Sequence, residues 1–151
     1  MRGEKTTIMK DPIREIISDP IKDARRYVKN AQDALKDHGK LNKETGRYED
    51  PKYVKAAGHY LWSGVLIALE AVFRVGDKKK SKKGEDSRVS IVDYTDALAK
   101  RDRKLLGWVN DGYQIMHLCM GYDGIGDKKV CLIGVQLANT IIDRCESMMV
   151  A

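Results

Sequence analysis

The sequence predicts an all-α protein: an antiparallel up-and-down bundle of four long helices with a short N-terminal helix. Three observations carry that prediction. Asp-Pro recurs where helices should begin, at Asp11-Pro12, Asp19-Pro20 and Asp50-Pro51. Asp accepts a bond from an orphan N–H at the N-cap, and Pro at N1 lacks a donor that would go unused there. Apolar residues recur at i, i+3, i+4 spacing through several long stretches, as a helix with one buried face requires. No stretch alternates apolar and polar residues for long enough to argue a strand.

Taken in order, the first element is a helix of one or two turns, Pro12 to Ser18, expected to cap the bundle. The second runs from about Pro20 to Lys36, with Ile21, Ala24, Tyr27, Val28, Ala31, Ala34 and Leu35 on one face and Gly39 as its stop. A polar connector with Asn42 and Gly46 leads to the central helix, Pro51 to Val75. Between Ala56 and Phe73 only His59, Ser63 and Glu70 are strongly polar, and at about 100° per residue they share one narrow seam. Lys52, Lys55 and Arg74 extend that seam. It is expected to face solvent, a wet pocket or a polar interface, because burying Glu70 unpaired would cost several kcal/mol.

A lysine-rich loop over residues 76–89 follows. Ser90 to Asp93 then resembles a capping box with Asp in place of Glu, opening a long helix whose stripe includes Tyr94, Leu98, Leu105, Trp108, Val109, Gly112, Met116 and Cys119. The dense charge of Lys100 to Lys104 is expected to bend it or expose that turn. Gly121 to Gly126 break the helix, and Asp127 caps the last one. Its expected inner face is Val130, Ile133, Leu137, Ala138, Ile141, Cys145 and Met148, with Gln136, Asn139, Asp143 and Glu146 outside.

At 151 residues the chain is the size of a single domain, 1–151, with a core over about 19–149. Its net charge is +6, and half of that excess comes from Gly76 to Arg88, where six basic residues face three acidic ones. Lys78, Lys79, Lys80, Lys82, Lys83 and Arg88 are therefore the candidate polyanion contacts, with an affinity that falls as salt rises. The three cysteines, Cys119, Cys131 and Cys145, include no C-x-x-C pair and read as reduced core residues. The first thirty residues hold no signal-type apolar run, since Arg14 and Glu15 interrupt Ile13 to Ile17, and a cytoplasmic location is the expectation. Ala56 to Phe73 is long enough to cross a bilayer, but His59 and Glu70 make insertion expensive, so no membrane association is expected.

No specific catalytic motif is present. His59, Ser63, Glu70, Tyr113 and His117 are the candidate binding side chains. A Ser-His-acid triad fails because Glu70 lies eleven residues beyond His59, about 16 Å along a helix. Metal spacings of the Glu-x-x-His or His-x-x-x-His kind do not occur, and neither a metal nor a cofactor is expected. Tyr122 and Asp123 lie in a glycine-rich turn before Lys128 and Lys129, where a helix start can hold a phosphate. No strand precedes that turn, so a dinucleotide fingerprint is not supported.

Three runs carry a resemblance. Ala24 to Ala31 (ARRYVKNA), Lys52 to His59 (KYVKAAGH) and His117 to Gly124 (HLCMGYDG) resemble a family of small bacterial all-helical proteins of unknown function, over roughly Pro20 to Met148. More distantly, the layout resembles HEPN domains, helical bundles that are often dimeric and associated with nucleotidyltransferases or toxin-antitoxin pairs. The ribonucleases of that group carry Arg-x(4-6)-His. The positions five to seven residues before His117 are Gly112, Asp111 and Asn110, and the nearest upstream arginine is Arg103, so the resemblance implies a non-catalytic relative.

Three functions stand open at this point. The first is a non-enzymatic binding or assembly module, as a homo-oligomer or with a protein partner. The second is a basic, nucleic-acid-associated protein of HEPN type. The third is an enzyme with a pocket between the second and third long helices, which requires His59 and His117 close together around a cavity.

Overall fold

The computed structural model describes residues 19–83 and 88–150, and the expected first helix, Pro12 to Ser18, lies outside them. The chain is all-α, with six helices and one minimal hairpin among the described residues. Helix α1, Pro20–His38, starts as its sequence dictates, with the Asp19 carboxylate accepting the Lys22 N–H at 3.0 Å and Pro20 at the first position. Ile21, Ala24, Val28, Ala31 and Leu35 form its buried face.

The polar connector contains two strands too short to show alternation, β1 (Leu41–Asn42) and β2 (Arg47–Tyr48). Asn42 Oδ1 accepts the N–H groups of Glu44 and Thr45, and Gly46 takes a φ of 70°, which closes the turn. The hairpin is pinned from outside. Tyr48 N–H donates to Gly126 O at 2.8 Å, and Lys128 N–H donates to Gly46 O at 2.9 Å.

Helix α2, Pro51–Phe73, is capped by Asp50 and is the central element, packed against α1, the later π-helical segment and the C-terminal helix. By length and composition it could span a bilayer, yet half of that window is buried inside the bundle. Two glycines permit its close contacts. A Cβ on Gly64 would lie 2.9 Å from Ala24 O of α1, and one on Gly58 would lie 2.4 Å from Gly121 N and 2.5 Å from Met116 O. The helix stops two residues before the expected Val75. Arg74 adopts a left-handed φ of 52°, and its side chain pairs with Asp77 at 2.9 Å.

The expected loop 76–89 is helical over much of its length. Helix α3, Val75–Lys83, carries most of its lysines, because lysine is a good helix former and Glu70 caps the new N-terminus by accepting the Gly76 N–H. Helix α4, Ile91–Arg101, opens on the expected Asp-type capping box, with Ser90 N–H donating to Asp93 Oδ2 at 2.7 Å.

One expected long helix is three consecutive pieces: α4, then α5 (Arg103–Gly112), then a π-helical segment, Tyr113–Tyr122. The first break falls inside the charged turn. Its cause is Asp102, whose buried carboxylate accepts the Leu105 N–H at 3.0 Å and Arg144 Nε at 2.8 Å. Burial pushes the Asp102 carboxyl up, but the bonds from Leu105 and Arg144 outweigh it and leave the group below the ordinary Asp range.

The last helix, α6 (Lys128–Val150), is capped by Asp127, which accepts the Lys129 and Val130 N–H groups at 2.8 and 3.1 Å. Its inner line is Cys131, Val135, Ala138, Ile141, Ile142 and Cys145. Ile133, expected inside, is 47% exposed, and Val130, Leu137 and Met148 are half-buried. Leu132 and Ile133 make this turn apolar on both sides, so the pattern alone sets the buried face slightly askew. On the outer side Asp143 and Glu146 both accept from Arg25 of α1, at 2.9 and 3.1 Å.

Candidate functional site

The seam on α2 faces outward as expected. Lys52, Lys55, His59 and Arg74 are exposed, and Ser63 and Glu70 are half-buried. The expected binding residues do not form one site. His59, Tyr113 and His117 come together, Ser63 sits one turn from His59, and Glu70 and the Tyr122-Asp123 turn have separate structural roles.

The His59 and His117 ring centroids are 6.5 Å apart, with Tyr113 5.1 Å from His117. Trp62, absent from the candidates read in the sequence, completes the group: it lies 5.6 Å from Tyr113 and 6.0 Å from His117. Trp62 reads as a core residue because it is one, at 7% exposure, and only the fold places its ring against both Tyr113 and His117. Tyr113 and His117 project from the π segment, a wide helical form often found at functional positions. The close approach of Gly58 to Met116 and Gly121 fixes that segment against α2. His117 Nδ1 is buried and has no hydrogen-bond partner among the described residues.

Trp62 and Tyr113 pack directly on His117, while His59 is exposed and meets the edge of the His117 ring. Among the described residues no group of three or more His, Cys, Asp or Glu side chains is arranged to hold a metal ion. Burial pushes the Cys131 thiol up to about 11 and the Cys145 thiol to about 12, so neither is an activated nucleophile.

Glu70 accepts the Gly76 N–H at 2.7 and 3.1 Å and the Tyr94 hydroxyl at 3.5 Å. Burial, aided by the Glu70 charge, pushes the Tyr94 phenol up to about 12 and keeps it a donor. Glu70 thus ties α2 to α3 and α4, while also bordering an open groove of about 500 Å³ with Leu66, Ile67 and Arg74.

The backbone N–H groups of the Tyr122-Asp123 turn are taken up by internal hydrogen bonds. The Asp123, Gly124 and Ile125 N–H groups donate to Leu118, Met120 and Cys119 carbonyls, and Asp127 takes the first N–H groups of α6. Tyr122 itself is 76% exposed.

The lysines fare differently. Lys78, Lys79, Lys80 and Lys82 lie along α3, Lys83 ends it, and Arg88 is exposed before α4. Lys78, Lys79 and Lys82 face Lys100 and Arg101 of α4 across a cleft of about 350 Å³, with Phe73 at its floor. The sequence shows Lys100 and Arg101 as a charged turn, but only a helical α3 puts them opposite the lysines. Lys79 Nζ reaches Asp93 Oδ2 at 2.8 Å and also the Arg88 carbonyl.

Fold and site together define a small all-α bundle protein of unknown function. The chain belongs to the family described as Domain of unknown function (DUF5618), whose model matches residues 19–147. It is similar to a solved structure of a protein of unknown function from Dyadobacter fermentans, at 37% identity and a TM-score of 0.74. That likeness covers 87% of this chain and 96% of the other. No curated protein matches it.

Proposed function

We propose that the protein is a cytoplasmic, non-enzymatic assembly module that pairs with a second copy of itself. The observation that carries this reading is a run of exposed apolar residues interspersed with charges of both signs, where the π segment turns into α6. Tyr122, Ile125, Leu132 and Ile133 are 76, 37, 51 and 47% exposed within a short stretch of chain. Exposed Asp123 and exposed Lys128 and Lys129 flank them. Exposed apolar residues among charges of both signs suit a two-fold contact, in which each copy's lysines meet the other's aspartate.

The histidine cluster supports the non-enzymatic part. Trp62 and Tyr113 pack against His117 and occupy the space beside its ring where catalysis would need room for substrate. The test is solution mass by light scattering over a range of concentrations, on the natural chain and on Leu132→Lys/Ile133→Lys. Dimer mass in the natural chain and monomer mass in the variant, with equal melting temperatures, is the expected result. A natural chain that stays monomeric at every concentration refutes the self-pairing.

A further inference from the structure

The geometry points to the α3–α4 cleft as a binding site for a small phosphorylated ligand of mononucleotide size. This stands on observations separate from the self-pairing patch. A charge run on a solvated helix presents one row of lysines; here two helices supply cations to the same space. Lys78, Lys79 and Lys82 recur at i, i+3/i+4 spacing, which sets them on one side of α3, and Lys100 and Arg101 answer from the last turn of α4.

Two contacts give the cleft a fixed shape. The Lys79–Asp93 pair, with side chains only 21 and 28% exposed, ties α3 to α4. The lysine bond, together with the Ser90 N–H, holds the Asp93 carboxyl below its ordinary range, so the tie persists through neutral pH. The Arg101 guanidinium lies 4.7 Å from the Phe73 ring centroid, stacked in place. A planar guanidinium held this way offers its N–H edges to phosphate oxygens in a fork.

The charge and size select the ligand. With Lys79 committed to Asp93, the cleft is lined by Lys78, Lys82, Lys100 and Arg101 against Asp96. Its volume of about 350 Å³ falls at the lower end of the range for small-molecule sites. A nucleic-acid strand would instead require cations along an extended track. Phe73 and Val75 are buried beneath the cleft, and the half-buried Ala97 and the outer face of the stacked Arg101 guanidinium give a base or similar planar body a surface to lie on.

The test is calorimetric titration of the full chain with ATP, repeated with inorganic tripolyphosphate. Lys82→Gln/Lys100→Gln is compared with Lys80→Gln, an exposed lysine of the same helix that does not line the cleft. The double variant is expected to weaken ATP by about tenfold or more, as loss of two charge-assisted contacts requires, and Lys80→Gln by less than about twofold. Tripolyphosphate is expected to bind more weakly than ATP. If the double variant melts abnormally without ligand, the single variants Lys82→Gln and Lys100→Gln replace it, each expected to lose about threefold. Absence of ATP binding at millimolar concentration overturns the site. So does a Lys80→Gln loss equal to that of the cleft variants, or a single-stranded oligonucleotide that displaces ATP with losses spread evenly over all these lysines. Tripolyphosphate binding as tightly as ATP removes the role of the surface at Ala97 and Arg101 and overturns the mononucleotide assignment.

Discussion

Gly58 and Lys79 hold helices together in opposite ways. At Gly58 the backbone of α2 approaches the π segment so closely that a Cβ would sit 2.4 Å from Gly121 N, and the contact depends on shape. At Lys79 the α3 and α4 helices, which otherwise touch sparingly, are joined by an ion pair at 2.8 Å. The body formed by α1, α2, the π segment and α6 buries the large core residues Leu61, Leu69, Met116, Met120 and Ile141. Each such side chain contributes about 1.5–3 kcal/mol when buried. The charged arm of α3 and α4 is anchored to that body through Val75, Tyr94 and Leu98. Stability is concentrated in the first region, and ligand-accessible charge in the second.

The largest expected effect breaks the shape-dependent contact. Gly58→Ala must displace backbone atoms of the π segment, and we expect a loss of about 3 kcal/mol in urea unfolding. The hinge between the two regions comes next. Asp102→Asn weakens the cap of α5 and leaves Arg144 without its carboxylate, for a loss of about 2 kcal/mol at neutral pH.

The sign with pH follows from the depressed Asp102 carboxyl. Its stabilisation is fully present above the ordinary Asp value of 3.8 and is lost as pH falls through the lower folded value. The gap between Asp102→Asn and the natural chain should therefore close below about pH 4, as measured by denaturant midpoints across a pH series.

Gly107 sharpens the comparison from the opposite side. It is exposed in α5, with open space where a Cβ would go, so Gly107→Ala should stabilise by about 0.5–1 kcal/mol in the same assay. Smallest of all, Lys79→Ala should lower the melting temperature slightly at low salt, and the difference should vanish at high salt. A salt-independent loss would mean that α3 is held by packing after all.

The same contrast explains what could be read from the sequence. Apolar spacing gives α1 and α2, and capping chemistry gives their starts at Asp19 and Asp50, as well as those at Ser90 and Asp127. These signals are local. The hairpin at Leu41 to Tyr48 escapes because two-residue strands have no period and are stabilised by Gly126 and Lys128 far along the chain. The helical α3 escapes because its N-terminus is capped by Glu70 from the preceding helix, a contact that requires the left-handed turn at Arg74.

The candidate site divides in the same way. His59, Tyr113 and His117 read correctly as residues of neighbouring helices, but Trp62 is indistinguishable from any other core aromatic until α2 meets the π segment. Among the lysines, sequence separates neither Lys82 from Lys80 nor Lys100 from the rest of its charged turn. Their difference is one of helical face.

Amide hydrogen exchange, followed residue by residue with and without ATP, tests the division between body and arm most directly. Helix α2 and the π segment are expected to exchange only through global unfolding. Helices α3 and α4 are expected to open locally at lower free energy, with ATP slowing exchange in those two helices alone. Equal protection across all helices, or ATP protection centred on the His59–His117 cluster, would contradict that division.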